Sequence, residues 1–414
     1  MQHTSKSIAA IAALSLAISS CGSSASNETA NETLSDSTYA PVETKEPNTD
    51  YSPAFEGQTR IAGVKTTTPY EVKIIAEGLN RPWGIANLPD GRLLITEKES
   101  GTLRIATQAG ELSEPITGLP PVNSEGQGGL LGITTDPDFE TNRMLFWTFS
   151  QDTPEGTLTA VAKGRLADDE KTVENAEVIY QATPAHKSNL HYGGRILFDK
   201  TGNIFVSTGE RSDIVTRPLA QDLNAALGKV LRITPDGDPA PGNPFEGRSD
   251  ARPEIYSYGH RNVQSLAFHP VTGDLWEAEF APRGGDELNR IQAGRNYGWP
   301  TITYGIEYSG EKVGDGIQQL DGMEQPVYYW DPVISPSGMT FFVGNSIPEW
   351  ENNLFIGGLS SIHIARLVIK DNKVVGEERL LEGEGQRFRA VHQGADGALY
   401  AVTDSGRLYR IGKQ

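Results

Sequence analysis

The chain alternates short polar turns with runs of apolar and β-branched residues, and it does so six times. The turns and the strands they open read LPDGRLLIT (Leu88–Thr96), ETNRMLFWT (Glu140–Thr148), KTGNIFVST (Lys200–Thr208), VTGDLWEAE (Val271–Glu279), ENNLFIGG (Glu351–Gly358) and ADGALYAVT (Ala395–Thr403). Glycine, asparagine or aspartate supplies the positive φ that a tight hairpin needs. The β-branched and aromatic residues that follow suit a buried strand. With Gly91, Asn142, Gly202, Gly273, Asn353 and Gly397 as turn markers, each repeat has roughly 59 residues, enough for four strands and their loops. No segment carries an apolar stripe of helical period over three turns. Asp222–Leu227 predicts a single helical turn. Recurrence at this spacing predicts an all-β, six-bladed β-propeller with four-stranded antiparallel blades. Closure is expected by pairing an N-terminal strand, Tyr70–Ala76, with the last blade, Leu399–Ile411, which removes exposed sheet edges. Two packed sandwiches are the alternative; the long, unequal repeats disfavour a solenoid.

Charge narrows the class of partner. Lys and Arg number 36 against 54 Asp and Glu, a formal net charge of −18. Such a surface argues against nucleic acid, whose phosphates require basic residues, and against an electrostatic grip on anionic lipid. The 45 Gly and 25 Pro fit a turn-rich globular domain. Cys21 is the only cysteine, which excludes an intramolecular disulfide. It follows a weakly basic Met1–Lys6 and an apolar Ile8–Ile18 that is too short to span a bilayer. Ile18-Ser19-Ser20-Cys21 resembles a bacterial lipobox. That resemblance implies a lipoprotein signal peptide over 1–20 and lipid attachment at Cys21. An ordinary secretory signal with an incidental cysteine is the alternative. Residues 21–59 are poor in large apolar groups and read as a disordered polar tether. Residues 60–414 read as the propeller, the catalytic domain. The chain is thus expected to be exported and lipid-anchored, periplasmic or at the cell surface.

Several strings carry candidate chemistry. His191 opens His191-Tyr192-Gly193-Gly194-Arg195, and Glu210 lies at the far end of the hairpin Ile196–Thr208. A hairpin returns on itself, so imidazole and carboxylate can be neighbours. A carboxylate beside imidazole fixes its tautomer and stabilises the imidazolium formed on proton abstraction. Alone, the pair is equally that of a structural histidine at a blade rim. Glu125–Gly132 is a glycine-rich loop without a Walker lysine or a Rossmann helix, so it is not a nucleotide motif. Tyr258–Asn262 places Arg261 and Asn262 before a strand. Phe280–Asn289 is rich in carbonyl and carboxylate oxygen, which suits calcium. Arg387 and Arg389 alternate on one strand face and can hold a polycarboxylate by forked hydrogen bonds. The plain reading of each arginine is a surface ion pair.

Taken in order, these strings resemble the soluble pyrroloquinoline quinone (PQQ)-dependent aldose sugar dehydrogenases, the glucose/sorbosone dehydrogenase family. The shared strings are Arg81–Gly84, Gly126–Gly132 with Asp136–Phe139, His191–Arg195, Gly259–Asn262, Pro282–Asn289, Asn296–Pro300, Ser335–Met339 and Arg387–Arg389. The resemblance implies a six-bladed propeller. It makes His191 the general base that takes the proton of the anomeric hydroxyl, with Glu210 orienting it, where relatives often have Asp. It gives Arg261 the charge developing on the quinone oxygen, and Asn262 and Gln127 contacts to PQQ. Arg387 and Arg389 would take the cofactor's carboxylates. Ca²⁺ would be held by the carbonyls of Ala281 and Pro282, and a second, structural calcium would involve Glu287 and Tyr297. The chain departs from the pattern twice. Ala281 stands where a glycine is common, and Ser360 stands where a lysine usually grips a PQQ carboxylate. His363 is the nearby candidate to replace that lysine.

The expected function is a PQQ- and Ca²⁺-dependent oxidation of aldose sugars at C1 to lactones, with hydride passing to the quinone. Its partners are then an aldose, an electron acceptor (a quinone or small redox protein) and, through the anchor, a membrane. A calcium-dependent lactonase-type propeller, or a non-catalytic propeller binding sugar or a protein, is the alternative. Substrate choice is expected in the loops Gln151–Gly156 and Thr303–Gln325. Trp299, Tyr304, Tyr308, Tyr328, Tyr329 and Trp330 read either as a sugar-stacking wall or as core.

Overall fold

In a computed structural model the described residues are 39–414; the leader and Cys21 lie outside them. The first strand, β1 (Tyr70–Ala76), belongs to the last blade. Blade 1 has β2 (Pro82–Asn87), β3 (Leu93–Glu97) and β4 (Thr102–Ala106). Blade 2 has β5 (Leu130–Thr135), β6 (Met144–Thr153), β7 (Gly156–Leu166) and β8 (Val173–Gln181). Blade 3 has β9 (Ile196–Phe198), β10 (Ile204–Ser207), β11 (Lys229–Ile233) and β12 (Ile255–Tyr258). Blade 4 has β13 (Val263–Phe268), β14 (Leu275–Glu279), β15 (Asp286–Ile291) and β16 (Tyr328–Trp330). Blade 5 has β17 (Pro336–Phe341), β18 (Leu354–Gly358), β19 (Ile364–Lys370) and β20 (Lys373–Leu380). Blade 6 has β21 (Phe388–Gln393), β22 (Leu399–Thr403) and β23 (Leu408–Lys413). All pairings within blades are antiparallel, and β2, β5, β9, β13, β17 and β21 neighbour one another in a closed ring. The six-bladed propeller is as expected. Blade 1 has three strands; the fourth place is taken by the segment at Ile116, bridged to Leu103.

The ring closes as expected. β1 runs antiparallel to β23, from Tyr70 opposite Lys413 to Ile74 opposite Tyr409. The last blade is therefore built from both ends of the propeller, so opening it costs a full strand pairing.

Six apolar clusters fill the gaps between successive blades. Alternate side chains of one strand enter opposite gaps. Trp147 and Phe149 of β6 pack toward blade 1, whereas Phe146 packs toward blade 3. Ile204 and Val206 of β10 face blade 2, whereas Phe205 faces blade 4. Middle strands are thus buried on both faces, and their sequences read as unbroken apolar runs. Trp147 is fully buried; truncating it to alanine costs about 3–5 kcal/mol.

The turns refine the sequence reading. Gly91, Gly202, Gly273 and Gly397 have positive φ, but in the other two turns it falls on Arg143 (φ 55°) and Asn352 (φ 59°), not on Asn142 and Asn353. A four-residue helix, Phe139–Asn142, occupies the turn before β6. The expected helical turn at Asp222–Leu227 is instead a short 3₁₀ turn at Arg217–Ala220. Gln151–Gly156 is the tight hairpin joining β6 to β7.

Residues 39–59 do not behave as a tether. Asp331 accepts hydrogen bonds from the backbone and side chains of both Asn48 and Thr49, at 2.8–3.0 Å. Glu43 pairs with Arg379 at 2.6 Å, and buried Gln58 donates to Pro326 O. The segment lacks apolar bulk, yet satisfied polar contacts hold it. The aromatic group resolves as core: Trp299, Tyr304, Tyr328, Tyr329 and Trp330 are buried, with Tyr304 stacked on Tyr329 at 4.1 Å. Tyr308 alone of the set is exposed. Among the described residues, no helix is long and apolar enough to cross a membrane.

Candidate active site

The inner strands start at one mouth of the ring, and the loops leading into them carry the chemistry. The β9–β10 hairpin returns as the sequence predicts, bringing His191 Nδ1 to 2.7 Å from Glu210 Oε1. Both side chains are buried, at 5% and 1% exposure. A carboxylate accepts, so the proton sits on Nδ1 and the Nε2 lone pair is free. Oε2 of Glu210 accepts from Ser212 N, which fixes the carboxylate in turn. Burial and, after it, the Arg261 charge lower the His191 pKa to about 4, against the opposing pull of Glu210. The imidazole is therefore neutral, the form a base requires, at neutral pH.

Backbone geometry sets this pair. His191 occupies the left-handed region at φ 47°, as does Arg211 at φ 74°. Such conformations cost free energy and persist only where surroundings enforce them. Arg211 enforces it here: its guanidinium donates to Leu190 O and Thr157 O and lies over the Tyr192 ring, 3.9 Å from the centroid. Gly209 is required by close approach, since a Cβ there would stand 2.3 Å from His191 O and 2.7 Å from Asn262 Oδ1.

Gln127, Asn262 and Arg261 join the same network, whereas Arg387 and Arg389 form a separate group. Gln127 Oε1 accepts from His191 N at 2.8 Å. Asn262 Oδ1 accepts from Gly193 N at 3.0 Å, and its Nδ2 is buried without a hydrogen-bond partner. Arg261 O accepts from Glu210 N, and its Nη1 donates to Phe280 O. Arg387 and Arg389 share Asp404: each Nε lies 2.8–2.9 Å from a different carboxylate oxygen.

A cavity of about 360 Å³ lies at this mouth, bounded by Gln127, Gly193, Phe280, Arg387 and Arg389 among others. Arg195, the residue before β9, crosses the axis but is not on this lining. The guanidinium donates to Gln264 O, Trp83 O and Arg389 O, from three other blades, and covers the Trp83 ring at 3.8 Å. A larger cavity of about 900 Å³ lies along the later halves of the inner strands and the turns that follow them. It is bordered by none of Gln127, Arg387 and Arg389, so the smaller cavity, which they line, is the better candidate site.

The calcium ligands divide. Ala281 is not in the positive-φ region, so its carbonyl can serve without the usual glycine. Ala281 and Glu287 border a pocket of about 10 Å³ with Glu279, Thr303 and Arg261, whereas the expected ligand Pro282 is not on its lining. That is room for one small ion or water, and its oxygen donors fit Ca²⁺. Tyr297 does not border it: its hydroxyl donates to Arg290 O and accepts from Gln292 N, and its ring stacks on His260. Behind this pocket, within blade 4, Glu277, Glu279 and His260 form a buried cluster with ligand atoms within 4.8 Å of one another. Burial and the neighbouring Glu279 charge push Glu277 well above the usual carboxylate range.

Sequence reasoning missed Lys98, Arg195, Arg211, Gln264 and Asp404 as parts of this mouth. Arg195 stood inside a noted string, but nothing in it signalled a crossing of the axis. Lys98 and Asp404 each follow a strand of the repeat pattern and carried no motif.

The geometry has parallels among known proteins. Residues 79–410 match the Glucose / Sorbosone dehydrogenase family. Aldose sugar dehydrogenase YliI of Escherichia coli is 41% identical over 345 residues, covering 82% of this chain and 92% of that relative. A crystal structure of a glucose dehydrogenase superposes with a TM-score of 0.79 at 43% identity, covering 83% of this chain and all of the other. The PQQ-bound form of an aldose sugar dehydrogenase from Streptomyces coelicolor has a TM-score of 0.69 at 31% identity, over 84% of this chain and 99% of that one. The ordered motifs, the six-bladed ring and these similarities agree: the chain belongs to the glucose/sorbosone dehydrogenase family.

Proposed function

We propose that the protein is a PQQ- and Ca²⁺-dependent dehydrogenase that oxidises aldose sugars at C1 to lactones. One observation carries the reading: a buried, neutral histidine held by a carboxylate donates its backbone N–H to Gln127 and precedes Tyr192 and Gly193, and these three residues line a cavity that paired arginines also wall. The names of the relatives, which include a PQQ-bound aldose sugar dehydrogenase and a quinoprotein glucose dehydrogenase, support it.

Bound PQQ supplies the two-electron acceptor for the hydride of sugar C1. The residues of this chain do the rest. His191 Nε2 removes the proton of the anomeric hydroxyl, and Glu210 stabilises the imidazolium through Nδ1–H. Arg261 directs its positive charge at oxygen that becomes anionic. Arg387 and Arg389 hold carboxylates, and Gln127 and Asn262 offer amide groups to the ring system. Asn262 Nδ2, buried and unpartnered, is a donor available to a ligand. A Ca²⁺ ion in the small pocket that Ala281 and Glu287 share would act as a Lewis acid.

A lactonase-type site fits less well. Its metal would sit among carboxylates on the axis, whereas the carboxylate cluster here lies on β14 inside blade 4 and Arg195 crosses the axis. Export with lipid attachment at Cys21, and delivery of electrons to a quinone or small redox protein, complete the proposal.

The test is reconstitution of purified protein with PQQ and Ca²⁺, followed by dye reduction with a panel of aldoses. Sugar-dependent reduction is expected. Absence of turnover with every aldose, together with no spectral change on adding PQQ, overturns the reading.

A further inference from the structure

The cationic wall of the cavity has a member that no motif marks. Lys98 follows β3 and is only 8% exposed, yet its side chain borders the 360 Å³ cavity together with Arg81, Arg387 and Arg389. Asp404 is the one acidic residue on the same lining, and both Arg387 and Arg389 are already bound to it. Arg81 pairs outward with Glu99 at an exposed position. Among the described residues, no carboxylate forms an ion pair with Lys98. Its ammonium makes one hydrogen bond, to Gly126 O at 3.0 Å. An ammonium has three donors, so two remain for the cavity.

The position of Lys98 is built, not incidental. Its backbone is fixed at both polar groups: Lys98 N donates to Arg81 O, and Lys98 O accepts from Leu130 N. Its stem lies against the glycine-rich loop. A Cβ on Gly129, which has φ 133°, would stand 2.2 Å from Lys98 O and 2.5 Å from Lys98 Cγ. Glycine at 129 is what lets the stem pass. Burial lowers the Lys98 pKa; the nearby Glu99 and Asp404 charges oppose this and the Arg389 and Arg81 charges add to it. A buried ammonium facing other cations is costly unless an anion arrives.

The alternatives near the departure at Ser360 are closed. Ser360 Oγ accepts from Ser335 Oγ and donates to Val333 O. His363 is 1% exposed, its Nδ1 bonds Ser361 O, burial first and the Arg379 charge next lower its pKa to about 3, and it is not on the cavity wall. Neither supplies a cation there.

We infer that Lys98 is an anion anchor of the site, taking one carboxylate of a polycarboxylated ligand on the cavity wall it shares with Arg387 and Arg389. For the PQQ reading, on which this assignment of the ligand rests, Lys98, on the blade next to that of Arg387 and Arg389, supplies the charge that the 359–361 loop lacks. The cavity then grips a tricarboxylate with cations from blades 1 and 6, and the glycine-rich loop serves to position one of them.

Two probes separate the anchor from the quinone. PQQ and benzene-1,3,5-tricarboxylate are each titrated calorimetrically into the full protein and into Lys98→Met, which keeps the stem but removes the charge, and Lys98→Arg, which restores it. Thermal melts without ligand check that each variant is folded. Lys98→Met is expected to weaken PQQ binding by roughly ten- to a hundredfold, the loss of one charge-assisted bond, and to flatten the dependence of Kd on salt. Lys98→Arg is expected to recover most of the affinity. Equal PQQ affinity in the wild type and a folded Lys98→Met overturns the anchor and leaves the PQQ reading standing. Lys98-dependent binding of the benzene tricarboxylate, with no binding of PQQ, supports the anchor and overturns the quinone reading. If neither probe binds the wild type, both fall.

Discussion

His191 Nδ1 lies 2.7 Å from Glu210 Oε1, with both groups almost wholly withdrawn from solvent. The contact assigns the proton to Nδ1 and points the basic nitrogen, Nε2, away from the carboxylate. If His191 is the base, His191→Ala loses roughly 10²–10⁴-fold in kcat while PQQ affinity by calorimetry changes little. Unchanged turnover would rule out the role.

The pH profile follows from the same pair. The His191 pKa is lowered to about 4, so the imidazole is neutral and active above that pH and is silenced below it. The acid limb of kcat/KM is expected near pH 4. Glu210 raises the His191 pKa, so Glu210→Gln should move that limb to still lower pH while reducing the rate. A limb that moves upward contradicts the assignment. Stability has the matching sign: the unfolded chain binds this proton near 6.5 and the folded protein resists it. The contribution is present above about pH 6.5 and is lost as the pH falls through about 4.

Arg195 ties four blades together across the axis. Arg195→Met removes its bonds to Trp83 O, Gln264 O and Arg389 O and leaves buried carbonyls short of a donor. The expected loss is about 2–5 kcal/mol, read as a lower denaturant midpoint at an unchanged m-value. A shift worth under about 0.5 kcal/mol, within the range of ordinary surface changes, would show that the crossing contributes nothing.

Gly209 links the base to the loop of Asn262. A methyl group there meets His191 O at 2.3 Å, and backbone cannot yield as a flexible side chain does. Gly209→Ala should lower kcat by more than tenfold through misplacement of His191, with a smaller effect on global stability. Activity close to wild type would mean that the loop tolerates the shift.

Removal of calcium tests the small pocket at Ala281 and Glu287. Treatment with a chelator should abolish sugar-dependent dye reduction, and added Ca²⁺ should restore it. Glu287→Gln should raise the Ca²⁺ concentration needed for half-maximal recovery. Full activity in the metal-free protein would remove the ion from the mechanism.

The repeat architecture was legible because each middle strand is buried on both faces. LYAVT at Leu399–Thr403 divides Leu399 and Ala401 from Tyr400 and Val402 between two interblade cores, so no polar alternation interrupts the run. The His191–Glu210 contact was legible for a local reason: a hairpin of fixed length joins them. The placement of Lys98 on one cavity with Arg387 and Arg389 was not. It depends on blades 1 and 6 meeting, nearly 300 residues apart in sequence, and strand pattern carries no signal for that. The order in Asn48 and Thr49 was hidden for a similar reason, since the partner that organises them, Asp331, is remote.

By itself, then, the sequence determined the repeat, the closure of β1 on the final blade, and the order of motifs that marks the family. These follow from local turn geometry, two-sided burial and ordered strings. Tertiary structure decided which charges share a space. It set Arg195 across the axis, bound both arginines to Asp404, left Ser360 and His363 out of the cavity's cationic wall and put Lys98 into it. The reason is physical: closing a ring brings loops of distant blades to one mouth, and only there do burial and the neighbouring charges decide what each side chain can bind.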